Sequence, residues 1–300
     1  MENLVRTAVF VNSCAGGGSA AGRIAQVRAR FAQRNLAIKF VDCGSPGEFR
    51  QSIQSAIATG CKRLVAMGGD GTLQSLVCQT IGLDVDVGVI PVGGGNDVAR
   101  ALGTRSWQQA VDVVSAGKTR AIDVVSVRFA NGEEAKYLGG GGVGLDAEAA
   151  LRANGRFKGW PGRLRYLASA IDALRGYAGV DVALEISGTT QPIRGRFLLV
   201  AVLNTPSYGG GVRLAPTAQV DDGELDFVVL EMLSKLEIAR LLPGLVLTGE
   251  LRTSRAKHFR STAATLRSSG SPWFHGDGEL LGKVPVAIDV LPRAVRMLAP

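Results

Sequence analysis

The chain has 300 residues, 46% of them hydrophobic and 20% charged, a balance that suits packed domains and excludes a largely disordered protein. Its formal net charge of +8 favours acidic partners such as nucleotides or anionic lipid surfaces, while the few aromatics form no aromatic-basic cluster resembling an RNA-binding signature, which argues against nucleic acid. No apolar run approaches the ~20 residues of a membrane span, so no transmembrane segment is expected; MENLVRTAVFVNS lacks the features of a signal peptide, so the cytoplasm is expected.

In chain order, TAVFVN (7–12) reads as a strand, and GRIAQVRARFAQRN places Ile24, Val27 and Phe31 on one face of an amphipathic helix. Between them NSCAGGGSA (12–20) is a glycine-rich turn from strand to helix. AIKFVD (37–42) is strand-like, and Ser45-Pro46 then supplies a helix cap and first turn ahead of a Phe49, Ile53, Ile57 stripe. RLVAM (63–67) is a third strand running into GGDGT, after which LQSLVCQTI is helical. DVGVIPV (86–92) is a fourth, running into GGGNDVAR. This alternation predicts an α/β domain with an open parallel sheet. Ligands of such sheets gather at the carboxyl ends of the strands, where the glycine turns at 16–18, 68–71 and 93–95 all fall.

After TRAIDVVSV (119–127) the rhythm changes. One helix, LRYLASAIDAL, aligns Leu164, Leu167, Ile171 and Leu174; around it DVALEIS, RFLLVAVL, LDFVVLEM and VAIDVL are strand-like, which predicts a β-rich sandwich. The expected domains are 1–125 and 126–291, with the closing residues, about 292–300, returning to the first. Cys14, Cys43, Cys61 and Cys78 are widely spaced, with no CxxC and no histidine pattern, and read as reduced residues rather than a disulfide frame or zinc site.

GGDGT at 68–72 carries the clearest chemistry. Gly68, Gly69 and Gly71 let backbone N–H groups face phosphate oxygens, and the following helix N-terminus adds a favourable dipole. Asp70 then has a purpose if it holds Mg²⁺ or orients a proton or hydroxyl. A plain Gly-Asp-Gly turn explains the five residues equally well. The spacing is neither a Walker A loop nor a dinucleotide fingerprint.

Taken in order, VAMGGDGTLQSLV, VIPVGGGNDVARALG, APTAQVDDGELDFVVL (215–230) and HGDGE (275–279) resemble the diacylglycerol kinase catalytic domain family, which includes bacterial lipid kinases, sphingosine kinases and ceramide kinases. The resemblance spans nearly the whole chain. It implies a phosphofructokinase-like nucleotide domain, a C-terminal β-sandwich and an active site in the interdomain cleft. The implied reaction moves the γ-phosphoryl of ATP to a hydroxyl of a lipid such as diacylglycerol.

By motif match, Gly68, Gly69, Asp70, Gly71 and Thr72 bind the ATP phosphates. Asn12, Gly16 and Gly17 match a glycine turn in which Ser13 replaces the usual proline, and Cys43, Gly94 and Asn96 complete the nucleotide set. Gly94 stands where the family usually has threonine, so a hydroxyl is missing. Asp70, Asp97 and Asp123 are implied as an acidic network around catalytic Mg²⁺, with a cap or turn residue the alternative for Asp97 and Asp123. A second, structural Mg²⁺ is implied at Asp222, with carbonyls from Gln219 and Glu224; a β-turn is an equal contender. Glu279 is the implied general base, with Asp277 its rival, and His275 is set aside.

A lipid kinase without a span must work transiently at the membrane surface, where basic residues attract anionic headgroups. Arg152, Arg156, Lys158, Arg163 and Arg165 around Phe157, Trp160 and Tyr166 are expected as the membrane-facing rim, in competition with an ordinary solvated face. A homodimer is left open. The alternatives are a soluble-metabolite kinase of NAD kinase type and a catalytically inactive nucleotide-binding accessory protein.

Overall fold

The computed structural model describes residues 7–12, 19–43, 45–157 and 162–300, excepting the side chains of 19–21, 46, 154, 162–167, 235, 242 and 246. The chain forms two compact units, Met1–Ile122 with Arg293–Pro300, and Asp123–Pro292.

The first unit contains β1 (Thr7–Val11), α1 (Ser19–Gln33), β2 (Ile38–Asp42), α2 (Pro46–Ala58), β3 (Arg63–Gly68), α3 (Asp70–Val77), β4 (Asp86–Pro91), α4 (Asp97–Ala101) and α5 (Trp107–Ala116). The strands lie in the order β2-β1-β3-β4 and all pair in parallel. Every residue of β1 and nearly every residue of β3 and β4 is buried, as expected of parallel strands covered on both faces. On one side Val9, Val11, Val65, Met67, Ile90 and Val92 pack with Val27 and Phe31 of α1 and the buried face of α5. Ser45 caps α2 by accepting from the Glu48 N–H, and Phe49 and Ile53 form its buried stripe.

The second unit begins within β5 (Thr119–Phe129) and continues through β6 (Glu134–Tyr137), β7 (Gly140–Gly144), α6 (Leu145–Asn154), α7 (Gly162–Leu174), β8 (Val180–Ile186), β9 (Ile193–Leu203), β10 (Leu225–Glu231), α8 (Lys235–Thr248), β11 (Ala256–Ser261), β12 (Ala263–Arg267), β13 (Trp273–Gly276) and β14 (Glu279–Lys283). The last strand, β15 (Val286–Leu298), starts here and ends in the first unit, where Arg296 and Met297 pair in parallel with Asp86 and Val87. Within the second unit β9 pairs antiparallel with β7, β8 and β10, as do β10 with β11, β8 with β12, and β13 with β7 and β14.

Alternation along the central strands divides its interior in two. Phe197, Val200 and Val202 of β9 join Leu225, Phe227 and Val229 of β10 in a core built from strands, the interior of a β-sandwich. Their neighbours Ala201, Leu203, Val228 and Leu230 face a second cluster, covered by Leu145 of α6, Ala173 of α7 and the partly buried Ile238 and Leu241 of α8. Two of these three helices, α6 and α8, depart from the single helix expected. Ile171 also departs from its expected buried stripe: it is 40% exposed, and among the described side chains of α7 the buried ones are the small Ser169 and Ala173, those of Leu164 and Leu167 lying outside what is described. Small residues are likewise buried in α6, at Ala147, Ala149, Ala150 and Ala153, which lets α6 and α7 pack closely. Among the described residues no helix is long and apolar enough to cross a membrane.

Candidate active site

In the first unit the GGDGT and GGGND turns follow neighbouring strands and are built against each other. The N–H groups of Val92 and Gly93 both donate to the Gly68 carbonyl, at 3.0 and 3.2 Å. A Cβ on Gly93 would lie 2.5 Å from the Gly69 Cα, so this approach requires glycine. Asn96 adopts the left-handed region (φ 57°, ψ 41°), and its side chain accepts from the Gly93 N–H at 3.2 Å and donates to the Gly93 carbonyl at 2.7 Å. The amide therefore shapes the turn itself. Asp70 opens α3 and accepts the Val98 N–H at 3.3 Å, which ties the first turn to α4. Asn12, at the end of β1, donates to the Thr72 hydroxyl at 3.1 Å.

Around Gly71 there is open space, and Gly94 is exposed at the turn's tip. Gly16 and Gly17 lie outside the described residues. Cys43 is buried at the end of β2; its N–H donates to Val11 at 3.2 Å, and burial pushes its thiol up. A buried thiol held neutral is a poor partner for phosphate.

The carboxylates expected around one Mg²⁺ have separate partners. Asp97, the buried first residue of α4, pairs with Arg100 at 3.2 Å. Asp123 is fully buried; its carboxylate accepts the Gly223 N–H at 2.7 Å, its own N–H donates to Val220 at 2.7 Å, and its carbonyl accepts from Asn204 at 3.1 Å. It thereby anchors the loop that contains Gln219, Asp222 and Glu224. Among the described residues, no three Asp, Glu, His or Cys side chains gather in a metal-holding group.

Within that loop one Asp222 oxygen accepts the Glu224 N–H at 3.1 Å, and the other is paired with Arg260. The same guanidinium lies 3.0 Å from Glu224 and 4.0 Å from Asp226. Arg260 stands opposite Asp226 in the β10–β11 register. Burial raises the Asp226 carboxyl to about 6; the Arg260 charge pulls it down, and Asp222 and Glu224 push it up.

HGDGE forms the hairpin between β13 and β14. Asp277 (φ 50°) and Gly278 (φ 86°) are its two central residues, and Gly276 pairs with Glu279. Two positive φ angles in a two-residue loop define the type I′ turn that Asp-Gly favours. The Asp277 carboxylate accepts three N–H groups, from Leu138 and Gly139 at 2.9 Å and Gly140 at 3.1 Å. Both its oxygens thus clamp the turn to the start of β7. Glu279 is exposed at the start of β14.

Sequence reasoning passed over a buried cluster beside this hairpin. His275 Nε2 is 3.0 Å from an Asp146 oxygen that also accepts the Tyr208 hydroxyl at 3.1 Å, and the two rings stack at 6.2 Å. Its members come from three distant segments, and no spacing in the sequence links them. In the expected membrane rim, Arg152 pairs with Glu148 and Asp172, and Arg156 pairs with Asp172 and sits over the Phe157 ring. Lys158, Trp160 and the side chains of Arg163, Arg165 and Tyr166 lie outside what is described.

Comparison with known proteins matches residues 6–127 to the diacylglycerol kinase catalytic domain and residues 139–299 to the YegS C-terminal NAD kinase beta sandwich-like domain. A diacylglycerol kinase of Mycobacterium tuberculosis is 29% identical, over 98% of this chain and 95% of the relative. One of Bacillus subtilis is 27% identical, over 98% and 96%. A Pseudomonas aeruginosa protein described as a probable lipid kinase YegS-like is 31% identical, over 69% of this chain and 67% of its own. The fold matches a crystal structure of a diacylglycerol kinase from Bacillus anthracis with a TM-score of 0.74 at 17% identity, covering 100% of this chain and 98% of that one. With both of its units matched in sequence and its fold in a solved structure, the chain belongs to the diacylglycerol kinase catalytic domain family of lipid kinases.

Proposed function

We propose that this ATP-dependent lipid kinase transfers the γ-phosphoryl of ATP to the free hydroxyl of a diacylglycerol-class lipid. The observation that carries the reading is the pair of interlocked turns, Gly68–Thr72 and Gly93–Asp97, at the carboxyl ends of adjacent parallel strands. The backbone of Gly69 and Gly71 and the N-terminus of α3 receive the nucleotide phosphates, while Asn12, Thr72 and Asn96 hold those backbones in shape. The phosphofructokinase-like type of this unit is part of the same reading.

Asp70 fits a catalytic Mg²⁺, which is ordinarily held through one or two carboxylates plus substrate phosphates. Mg²⁺ bound there would neutralise charge on the phosphoryl oxygens. Asp97 and Asp123 act through the turns they brace. Glu279 accepts the proton of the lipid hydroxyl as its oxygen bonds to the γ-phosphorus and the bond to the ADP oxygen breaks. Asp277 positions the hairpin that presents Glu279. At the second cation site expected from Asp222 and the carbonyls of Gln219 and Glu224, we read the Arg260 guanidinium, paired with Asp222, the one side-chain ligand, as supplying the positive charge in place of the cation.

The test is phosphate transfer from labelled ATP to diacylglycerol, ceramide, sphingosine and phosphatidylglycerol in mixed micelles, with NAD as the soluble control. Labelled diacylglycerol is expected. Label confined to a water-soluble product would overturn the reading.

A further inference from the structure

Helix α8 carries apolar residues on two sides. Ile238, Leu241 and Leu245, spaced by three and four, are partly buried, with Ile238 and Leu241 packed on the second cluster. Leu236, Pro243 and Leu247 follow the other side, with Arg240 between them, and all four are exposed. Leu236 is 60% and Leu247 82% exposed. Single exposed leucines are ordinary, but an aligned row of them on a helix that already buries its other face is not.

The row has company. Of the six large apolar side chains exposed among the described residues, four are Leu151 of α6, Ile171 of α7, and Leu236 and Leu247 of α8, three helices packed on one cluster. Arginines are interleaved with them. Arg156 and Arg175, flanking α7, share Asp172 yet remain 73% and 78% exposed, and Arg252, just past α8, is 86% exposed while paired with Glu250. Apolar knobs among long basic side chains are the composition of a helix that lies in the plane of an anionic membrane.

We propose that the outer face of α8, with Leu236, Arg240, Pro243 and Leu247 at its centre, docks this unit on anionic phospholipid bilayers. The proposal rests on the lipid kinase reading, since an enzyme whose acceptor is dissolved in a bilayer must reach that surface. The leucines enter the boundary between headgroups and acyl chains, and Arg240 pairs with lipid phosphates. The contact is peripheral, as α8 spans 14 residues and has charge on it.

The experiment compares the wild type with Leu236→Glu/Leu247→Glu. Both positions are exposed, and an unchanged circular dichroism spectrum and melting temperature verify the fold. Sedimentation uses vesicles of phosphatidylcholine with and without phosphatidylglycerol, and turnover is measured on vesicle-borne diacylglycerol and on monomeric dihexanoylglycerol. The wild type is expected to prefer anionic vesicles. The double variant should bind them at least tenfold more weakly and lose vesicle turnover in proportion, with wild-type turnover of the short-chain acceptor. Equal vesicle binding by both proteins would overturn the docking face, as would a wild type that phosphorylates the short-chain lipid yet ignores vesicles. A dimer that dissociates in the double variant while vesicle binding persists would also overturn it and assign the face to a second copy. If vesicle binding is lost in the variant but neither acceptor is phosphorylated by the wild type, the docking face stands and the kinase reading fails.

Discussion

Asp277 and Glu279 are two residues apart, and their surroundings give them different work. Asp277 takes three backbone N–H groups from residues 137 to 139 positions away. Asp277→Ala should therefore cost about 2–4 kcal/mol of stability, because partly buried donors lose a charged acceptor, and the loss is read as a lower denaturation midpoint. Glu279 is exposed, so Glu279→Gln should leave stability within about 0.5 kcal/mol of wild type. The same change should lower turnover by roughly 100-fold or more without weakening ATP binding, and wild-type rates would remove it as the base. The sequence could nominate both carboxylates from one motif, yet it could not separate them, since the donors that occupy Asp277 come from the far end of the unit. Gly94 poses the opposite case, a group that is missing. It is exposed and is not among the glycines with positive φ, so Gly94→Thr meets no left-handed backbone and should tighten ATP binding a few-fold through one added hydrogen bond. An unchanged Kd by calorimetry would mean that the turn works by shape alone.

At the level of elements, β1, β3 and β4 were legible because each is a buried apolar run that the sequence follows with glycines. Helix α8 was obscured by Pro243 and by its two apolar sides, although Ser234 and Glu237 spell a capping box that marks its start. The Asp-Gly loop before β10 could be read as a turn, whereas its cation could not. Arg260 reaches the loop only through the β10–β11 register, which a sequence without its pairing does not reveal. If Arg260 supplies the positive charge there, the wild-type melting temperature in the absence of nucleotide should not respond to Mg²⁺ or chelator. Arg260→Met should lower it at pH 7.5, with recovery in millimolar Mg²⁺. A wild-type rise in Mg²⁺ that disappears in Asp222→Asn would instead assign a metal to the loop. Asp226 adds a dependence on pH. Its folded value of about 6 lies above the ordinary 3.8, so the folded state binds the proton more tightly. Its contribution is complete below about pH 4 and is lost as the pH rises through 6. Asp226→Asn should accordingly melt higher than wild type at pH 7–8, with the gap closing toward pH 4; a gap independent of pH would mean that Asp226 does not titrate in this range.

Across the whole molecule, the first unit is completed by residues that arrive from the other end of the chain. Met297 and Leu298 are fully buried there, Leu298 among the residues that pack α1 and α5 against the sheet. Arg296 adds ion pairs to Asp84 and Asp86, and the Ala299 N–H donates to Lys118. Burying a Met or Leu side chain is worth about 1.5–3 kcal/mol, so these two alone supply roughly 3–6 kcal/mol. That is comparable with the ~5–15 kcal/mol that keeps a domain folded. Deleting residues 293–300 should thus unfold the first unit, although none of the eight belongs to the glycine turns or the HGDGE hairpin. Hydrogen exchange should become fast across β1, β3 and β4 and ATP binding should vanish, while amides of β9 and β10 stay protected. Protection of β3 and β4 equal to wild type in the truncated chain would refute the dependence. Met297→Ala/Leu298→Ala, which keeps the backbone pairing with β4, should give an intermediate loss, separating the apolar contribution from that of the strand itself.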